Sequence, residues 1–476
     1  MASADLDLCY MTATEAIAKF KAKKLSPVEL MKAVIARLEA VNPKINAITY
    51  DFFDRALKQA KDAEARYRKT DGRPRPLEGI SCAIKDFHPV KGEITTLGSR
   101  IFENFRPDYT APTVERLLKA GAIMHCRSTT PEFAHSGVTR SPLWGVTRNP
   151  WNLDYSSSGS SGGASALLAA GGTTLADGTD GGGSIRGPAS ACGLFGYKPP
   201  FGRNPLDRDH PLETILVYGP LTRSVADAAL MQNVMSGHHS SDICSLRQNV
   251  RLPESFPDIK GWKVALSMNY GYLPVSPEVE KNTRAAAEVF RSLGCEVREV
   301  DLGWNASALD AWLTHWQGLF AALCHDYLPR WRYEMDPYVV KILEAGKQHD
   351  AMRLYRAGLV RAEMYKTLAP ILRENQILIC PTIPIPALKA DHDNHAPEFF
   401  INGKPVLGYV GWNMTLHFNL VNQCPVMSVP SGFCPKTGVP TGIQIVSRTY
   451  DDLRVFRAAS AFEGATKPWA KKRPKM

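Results

Sequence analysis

The spacing of apolar residues predicts helices in the first seventy positions. Ser26 and Glu29 fit a capping box, with a proline at the first helical position between them. Apolar residues then recur at helical spacing over residues 28–41, and Pro43 is expected to end that helix. A more polar stretch, residues 54–69, predicts a second helix on the surface.

Later in the chain, short apolar runs alternate with helical patterns. "GISCAIKD", residues 79–86, predicts a buried strand that ends at Lys85. Helices are predicted at 164–172, 223–235 and 277–294, and strands at 263–268, 295–302, 376–387, 424–433 and 441–447. Residues 304–355 are rich in Trp, Tyr and Leu and predict a helical, lid-like segment. This alternation indicates an α/β fold.

Composition supports a globular protein without a membrane span. The 476 residues are 44% hydrophobic and 22% charged, and no run of eighteen apolar residues occurs. The first twenty residues include acidic side chains and no apolar core, so we expect no signal peptide and a cytoplasmic location. The length alone suggests roughly two to four domains or one large α/β unit, and no repeat or compositional break at the serine runs divides the chain.

The net charge of +10 is concentrated at one end. Residues 467–476 carry five positive charges and no negative one, so half of the excess lies in a segment expected to be a frayed tail. No aromatic-interleaved basic motif accompanies it, and a nucleic-acid partner is not expected. Ten scattered cysteines lack paired spacing, which predicts reduced packing residues and no metal site. No cofactor motif was found either.

Two runs rich in glycine and serine, residues 155–172 and 178–193, could be flexible linkers or catalytic loops. In the second run, Ser184 follows three glycines, Gly181, Gly182 and Gly183. Glycines allow consecutive N–H groups to converge on one point, as stabilisation of an oxyanion requires. Neither run coincides with a change in composition, so a catalytic role is the better interpretation.

A nucleophilic serine needs a base, and Lys85 is a lone cation in an apolar strand. Burial would lower the pKa of this lysine and leave it neutral enough to accept a proton. The alternative is a strand-end lysine that extends to water, and the local sequence does not decide between them. Ser161 in "GSSGG" matches a nucleophile elbow, but the preceding "NPWNLDYSSS" is not expected to form the strand that this motif needs.

The motifs around these residues resemble those of a known family. "GSSGG" followed by "GTDGGGSIRGPASACGLFGYKP" closely resembles the amidase signature family, and "GISCAIKD" resembles that family's lysine strand. The resemblance extends from about residue 10 to 465 and is weakest between 240 and 375. It implies a large mixed β-sheet core surrounded by α-helices. The single domain would comprise a signature core at about 70–235 and 370–465, a variable substrate-side segment at about 240–370 and the basic tail 467–476.

The resemblance also implies roles for individual residues. Ser184 would be the acylated nucleophile, and Ser160, after a cis Gly159–Ser160 peptide bond, would be the bridging serine. Lys85 would accept the proton of Ser184 through Ser160. The N–H groups of Gly181, Gly182, Gly183 and Ser184 would form the oxyanion hole, with no metal and no organic cofactor.

Three positions depart from the common pattern of the family. Ser158 stands where many members have glycine, and Pro199-Pro200 replaces a proline-threonine step. Gly181 stands where many members have a larger residue, which would loosen the glycine loop or leave room for a bulkier acyl group. None of these departures affects Lys85, Ser160 or Ser184.

The resemblance implies a free-standing amide-bond hydrolase. The alternative is the glutaminase (A-type) subunit of a tRNA-dependent amidotransferase, but "HPLETILVYGPLTRS" lacks the serine-leucine-aspartate step usual in those relatives. A catalytically dead binding protein is disfavoured because all three catalytic positions are intact. Homodimers are common in the family, so the resemblance also allows a homodimer.

The substrate is expected to be a small-molecule amide, either aryl or acyl, or a carbamate (urethane). Phe133 and His135 lie where family members line the pocket. Four aromatic residues of the variable segment are further candidates for its walls, although each could equally pack the core. They are Trp312, Trp316, Phe320 and Trp331.

Overall fold

Seventeen strands form within residues 3–69, 72–207, 214–466 and 472–476, which are the residues that this computed structural model describes. In chain order they are β1 Ile48–Asp51, β2 Ser81–Lys85, β3 Ile123–Ser128, β4 Arg140–Ser141, β5 Gly145–Val146, β6 Arg148–Asn149, β7 Asn152–Ser156, β8 Leu175–Asp180, β9 Phe195–Lys198, β10 Val217–Thr222, β11 Lys263–Leu266, β12 Glu296–Glu299, β13 Ile377–Pro381, β14 Glu398–Ile401, β15 Lys404–Leu407, β16 Val426–Phe433 and β17 Pro440–Val446.

Eleven of these strands form one mixed sheet, in the order β1-β3-β2-β8-β10-β9-β16-β17-β13-β11-β12. The pairs β3/β2, β2/β8, β13/β11 and β11/β12 are parallel, and the other neighbours are antiparallel. Every residue of β2, β8, β13 and β17 is buried, so both faces of these strands are covered. The large mixed sheet surrounded by helices is therefore confirmed.

The helices that cover the sheet include those predicted from apolar spacing. They are α1 Ser3–Tyr10, α2 Ala13–Lys21, α3 Pro27–Ile45, α4 Phe53–Arg68, α5 Pro112–Lys119, α6 Gly162–Ala170, α7 Arg186–Cys192, α8 Val225–Met235, α9 Pro277–Ser292, α10 Ser307–Cys324, α11 Leu328–Trp331, α12 Pro337–Gly346, α13 Ala351–Glu374, α14 His417–Leu420 and α15 Asp452–Ala465. Residues 304–355 are helical as expected, and α10 packs into the largest apolar core.

Helix α3 begins as predicted and ends later than predicted. The Ser26 N–H donates to the Glu29 carboxylate (2.8 Å), which completes the capping box. The expected end at Pro43 is wrong, because the proline falls in the last turn and the helix continues to Ile45, which is fully buried. Asn46, with φ of 49°, ends the helix in the left-handed conformation.

The expected frayed tail is also wrong where the structure describes it. Arg473 forms an ion pair with Asp7 (2.9 Å), and its guanidinium lies 4.7 Å from the ring centre of Tyr10. The ammonium of Lys472 lies 4.5 Å from the ring centre of Phe433. Residues 467–471 lie outside the described residues.

All ten cysteines are unpaired, and nine of them are buried. No helix in the described ranges is both long and apolar enough to span a bilayer. Within the same ranges, no group of three or more His, Cys, Asp or Glu side chains could hold a metal ion. The division into signature core, variable segment and tail, the homodimer and the cytoplasmic location stay predictions.

Candidate active site

Two neighbouring parallel strands place the candidate residues at one edge of the sheet. β2 ends at Lys85, and β8, parallel to it, ends at Asp180 immediately before the three glycines. The carboxyl ends of parallel strands lie at the same edge of a sheet, where the sites of α/β proteins form. The topology thus brings the lysine close to the loop that carries Ser184.

The amine of Lys85 lies among three hydroxyl groups. Its Nζ is 2.6 Å from Ser160 Oγ, 2.7 Å from Thr179 Oγ1 and 3.1 Å from Ser161 Oγ. The lysine is 0% exposed, so the alternative of a strand-end lysine that extends to water is wrong. A neutral amine has two N–H donors and one lone pair, so one of the three hydroxyls can donate its proton to Nζ.

Burial lowers the pKa of Lys85 to about 7, because removal from water disfavours the charged ammonium. The carboxylates of Asp177 and Asp180 oppose this shift. Near neutral pH a substantial fraction of the lysine is therefore neutral, as a general base requires.

Asp177, on β8, fixes the backbone of the lysine strand. Its Oδ1 accepts a hydrogen bond from the backbone N–H of Lys85 (2.7 Å), and its Oδ2 lies 3.3 Å from His88 Nε2. Burial raises the pKa of this carboxyl to about 7. Asp177 was not predicted, because an aspartate inside a strand has no motif that marks its partner.

The serine run is a rigid, buried loop. Ser156, Ser157, Ser160 and Ser161 are each 0% exposed, which contradicts the linker interpretation. The Gly159–Ser160 peptide bond is cis, as the resemblance implied. Ser158 has φ of 63°, in the left-handed region that favours glycine, which explains why glycine is common at this position.

The run is preceded by a strand, contrary to expectation. β7 covers residues 152–156, but it pairs with β6 in a two-stranded ribbon outside the main sheet. Ser161 precedes α6, and its buried hydroxyl contacts Lys85. A nucleophile must face substrate, so the position of Ser161 still argues against the elbow.

Ser184 lies where a nucleophile would be accessible. Of the three predicted catalytic residues it alone is partly exposed, and its backbone carbonyl accepts the N–H of Ser161 (3.2 Å). Within the described ranges, its hydroxyl makes no hydrogen bond. The bond between Ser184 and Ser160 that completes the predicted relay is therefore not formed in this conformation.

Four contacts to carbonyl groups fix the orientation of the glycine loop. The carbonyl of Asp180 accepts from Asn419 Nδ2 (2.9 Å), that of Gly181 from Trp312 Nε1 (2.8 Å), that of Gly182 from Thr415 Oγ1 (2.7 Å), and that of Gly183 from the Gly187 N–H (2.7 Å). In a trans peptide the N–H points opposite to the carbonyl, so these contacts also set the directions of the next N–H groups.

Three of the four predicted oxyanion donors have no acceptor among the described residues, namely the N–H groups of Gly181, Gly182 and Ser184. The fourth, the N–H of Gly183, donates to Asp180 Oδ1 (2.9 Å). Gly183 has φ of 119°, and a Cβ there would lie 1.6 Å from Thr415 Oγ1, so only glycine fits.

Asp180 and Arg186 form a buried ion pair below the loop. Arg186 Nη2 lies 2.8 Å from Asp180 Oδ1, and both side chains are fully buried. Burial opposes ionisation of Asp180, yet the guanidinium of Arg186 holds the pKa of the carboxyl below its usual range. Asp180 therefore stays a charged acceptor that anchors the N–H groups of Gly183 and Ile185.

A cavity of about 370 Å³ opens onto Ser184. Its lining includes the aliphatic hydroxyl residues Ser160, Thr179 and Ser184. Aromatic and aliphatic side chains make up most of the remaining wall: Phe87, Leu97, Phe102, Phe133, Ala134, Leu216, Trp316, Leu319, Phe320, Leu323, Cys324 and Tyr327, with Gly181. None of these side chains is charged.

Only some of the residues predicted to contact substrate line the cavity. Phe133, Trp316 and Phe320 line the cavity, as expected of wall residues. His135 does not line it: this residue is buried, and its Nδ1 lies 2.9 Å from the carbonyl oxygen of Glu132. Trp331 lines an adjoining surface cleft, which shares Phe102 and Tyr327 with the cavity.

The expectation of extra room beside Gly181 is wrong. A Cβ on Gly181 would lie 3.0 Å from Trp316 Cζ3, so the tryptophan ring fills the space that a larger side chain would need. Sequence reasoning missed Thr179, Leu216 and Phe102 as site residues. Thr179 could have been found from its position in "GTDGGGS", whereas the other two carry no local signal.

Comparisons with known proteins identify the family of the chain. The model of the Amidase family matches residues 29–456. An acylamidase of Rhodococcus erythropolis is 35% identical over 482 residues, covering 98% of each chain. The A-type subunit of the glutamyl-tRNA(Gln) amidotransferase of Geotalea daltonii is 33% identical over 500 residues, covering 98% of this chain and 99% of the relative.

A solved structure of a bacterial aryl acylamidase, described as an amidase signature enzyme, superposes with a TM-score of 0.90 at 30% identity, over 97% of both chains. The family match covers most of this chain, and its most characteristic residues converge at one edge of the sheet. The chain therefore belongs to the amidase signature family and is an amide hydrolase that acts on C–N bonds.

Proposed function

We propose that the protein hydrolyses amides with a neutral, apolar acyl group, aryl or aliphatic, through an acyl-enzyme on Ser184. The observation that carries this proposal is the lining of the cavity, which is uncharged and is apolar apart from four hydroxyl-bearing residues and one cysteine. An apolar acyl group gains roughly 25 cal/mol for each Å² that it buries there. A charged acyl group would lose its hydration with no ionic partner among the described lining residues.

The reaction begins when Ser184 Oγ attacks the amide carbonyl. The proton of Ser184 passes to Ser160, whose own proton passes to neutral Lys85 over the 2.6 Å contact. The carbonyl π electrons move to oxygen, and the N–H groups of Gly181, Gly182 and Ser184 stabilise the oxyanion that results. When this tetrahedral intermediate collapses, the C–N bond breaks. The proton then returns from Lys85 through Ser160 to the leaving amine.

Water then hydrolyses the ester on Ser184. The same relay removes a proton from the water as it attacks, and Ser184 recovers its proton when the carboxylic acid leaves. Carbamates would follow the same course through a carbamoyl group on Ser184, and the proposal includes them as slower substrates because such intermediates are less electrophilic.

The glutaminase alternative is supported by the similarity to A-type amidotransferase subunits. Glutamine carries an α-ammonium and an α-carboxylate, and both need ionic or strongly polar partners in a closed site. The described lining of the cavity supplies none. The segment "HPLETILVYGPLTRS", which lacks the serine-leucine-aspartate step of those subunits, begins at residues 210–213, and these lie outside the described residues.

A substrate panel tests the proposal. We expect anilides of benzoic, butyric and octanoic acid to be hydrolysed with kcat/KM at least a hundredfold above glutamine and acetamide. Greater activity on glutamine would overturn the proposal in favour of the glutaminase.

A matched pair of variants tests whether the cavity determines the preference among acyl groups. Phe320→Leu enlarges the cavity beside Trp316 and should shift preference towards bulkier acyl groups by about three- to tenfold, as expected if the acyl group buries about one further CH₂ at roughly 0.8 kcal/mol. Phe290→Leu removes comparable volume from a separate apolar core and should leave the preference unchanged. Equal shifts in both variants would contradict the assignment of the acyl site.

A further inference from the structure

Trp312 lies in the segment where the resemblance to the family is weakest, yet it contacts the catalytic loop directly. Its indole N–H donates to the carbonyl of Gly181 at 2.8 Å, and the side chain is 3% exposed. A Cβ on Gly182 would lie 2.6 Å from Trp312 Cζ2, so the ring lies directly against the second glycine.

The contact with the Gly181 carbonyl determines the direction of a catalytic donor. The carbonyl of Gly181 and the N–H of Gly182 belong to one trans peptide unit, so they point in opposite directions. A carbonyl fixed towards Trp312 turns the Gly182 N–H away from the tryptophan. That N–H has no acceptor among the described residues and remains available to the oxyanion.

The carbonyl groups on either side of Gly181 accept hydrogen bonds from other residues, so the tryptophan contact affects the Gly181 carbonyl in particular. Asn419 holds the carbonyl of Asp180, and Thr415 holds that of Gly182. No other hydrogen bond from the described residues holds the carbonyl of Gly181. Without the indole N–H, this peptide unit would lose its fixed orientation.

Helix α10 couples this contact to the acyl cavity. Trp316, one turn after Trp312, stacks on it with ring centres 5.0 Å apart and forms the cavity wall beside Gly181. One helix thus presents one ring to the oxyanion loop and the next ring to the acyl group.

We propose that Trp312 is a positioning residue that orients the Gly182 N–H towards the oxyanion. This inference rests on the proposed function, because it assumes that Ser184 attacks a carbonyl beside the glycine loop. It predicts a loss of transition-state stabilisation with little change in binding of the substrate, since the hydrogen bond from the Gly182 N–H to the substrate oxygen strengthens only as negative charge develops there.

The test compares Trp312→Phe with a matched control. Trp304 is also a buried tryptophan, and its N–H is shared between the Thr367 hydroxyl (3.0 Å) and the carbonyl of Met364 (3.2 Å), outside the catalytic loop. We expect Trp312→Phe to lower kcat by about ten- to a hundredfold with KM within about threefold, as for impairment of one oxyanion donor. Trp304→Phe should change neither constant by more than about twofold.

An inhibitor pair separates positioning from simple loss of packing. An aryl trifluoromethyl ketone accepts Ser184 Oγ at its carbonyl carbon and becomes an oxyanion, whereas the corresponding carbinol cannot. In Trp312→Phe we expect the ketone to weaken by the same factor as kcat/KM and the carbinol to change by less than about twofold. Equal weakening of both compounds, or an unchanged kcat, would overturn the proposal.

A second substitution avoids a large change in shape. Benzothienylalanine in place of Trp312 keeps the bicyclic ring but has sulfur where indole has N–H, and it should reproduce the selective loss of ketone affinity. Full retention of ketone affinity would show that the hydrogen bond is not needed. If the wild-type protein itself binds ketone and carbinol equally, the proposed function fails and this inference fails with it. If the wild-type protein prefers the ketone and the variants keep that preference in full, the inference alone fails.

Discussion

At the scale of single residues, the central feature is a lysine whose chemistry depends on burial. Lys85 is completely buried, and three hydroxyls contact its amine. Burial lowers the pKa of Lys85 to about 7, and it raises the pKa of the adjacent Asp177 to about 7. The two groups interact, so an observed titration belongs to the pair.

The pH dependence of catalysis follows from this pKa. The base acts when neutral, so kcat/KM for an uncharged anilide should fall about tenfold per pH unit below about pH 7 and level off above it. Initial rates between about pH 5.5 and 9.5 measure the profile, with circular dichroism at each pH to confirm the fold. A midpoint near 10, the value of an exposed lysine, would contradict the role of Lys85.

The same pKa shift makes stability depend on pH. The folded-state pKa of Lys85 is depressed, so between about pH 7 and 10 the unfolded chain binds a proton that the folded chain does not. The contribution of Lys85 to stability is therefore fully present above the unfolded pKa and is lost as pH falls towards 7. The base is thus maintained at a cost in stability near neutral pH.

At the scale of elements, part of the cavity wall has strained backbone, and a hydrogen bond connects that part to the variable segment. Leu97, Phe133 and Ala134 all line the cavity and have φ of 52°, 51° and 60°. Left-handed backbone at a non-glycine residue costs on the order of 1 kcal/mol or more, so neighbouring contacts must maintain it. Glu132 supplies two: it accepts from Ser99 Oγ (2.6 Å) and from the Asp336 N–H (2.5 Å).

Substitutions at Glu132 test this support. Glu132→Ala leaves the Ser99 hydroxyl and the Asp336 N–H without their acceptor and should lower the free energy of unfolding by about 2–4 kcal/mol. Glu132→Gln retains an acceptor and should cost less than half as much. Burial raises the pKa of Glu132 to about 7, so the wild-type protein should lose stability relative to Glu132→Gln as pH rises from about 4.5 through 7.

Denaturant unfolding at several pH values measures these differences. Glu344→Ala is the control, because Glu344 forms an exposed ion pair with Arg332 and should contribute less than about 1 kcal/mol. Equal effects of Glu132→Ala and Glu344→Ala would show that Glu132 does not support the wall.

At the scale of the whole molecule, local signals predicted the elements better than their assembly. Local patterns predicted the strand ending at Lys85 and the helix after the serine run, whereas the large mixed sheet was implied by the resemblance to the family. The fraying expected of the tail, over its described residues 472–476, and the end of α3 at Pro43 were not correct, because long-range packing outweighed the local pattern. Trp312 and Leu216 reach the site from distant parts of the chain, and only the fold shows this.

The roles of Lys85, Ser160 and Ser184 depend on how the fold brings these residues together, and one experiment tests all three roles. A fluorophosphonate probe would be reacted with the wild-type protein, Lys85→Ala and Ser160→Ala, and the labelled residue mapped by mass spectrometry.

We expect labelling of the wild-type protein at Ser184, with a rate that falls at least a hundredfold in both variants, since each removes a part of the proton relay. Labelling at Ser161, or at Ser184 with an unchanged rate in Lys85→Ala, would contradict the account of the active site.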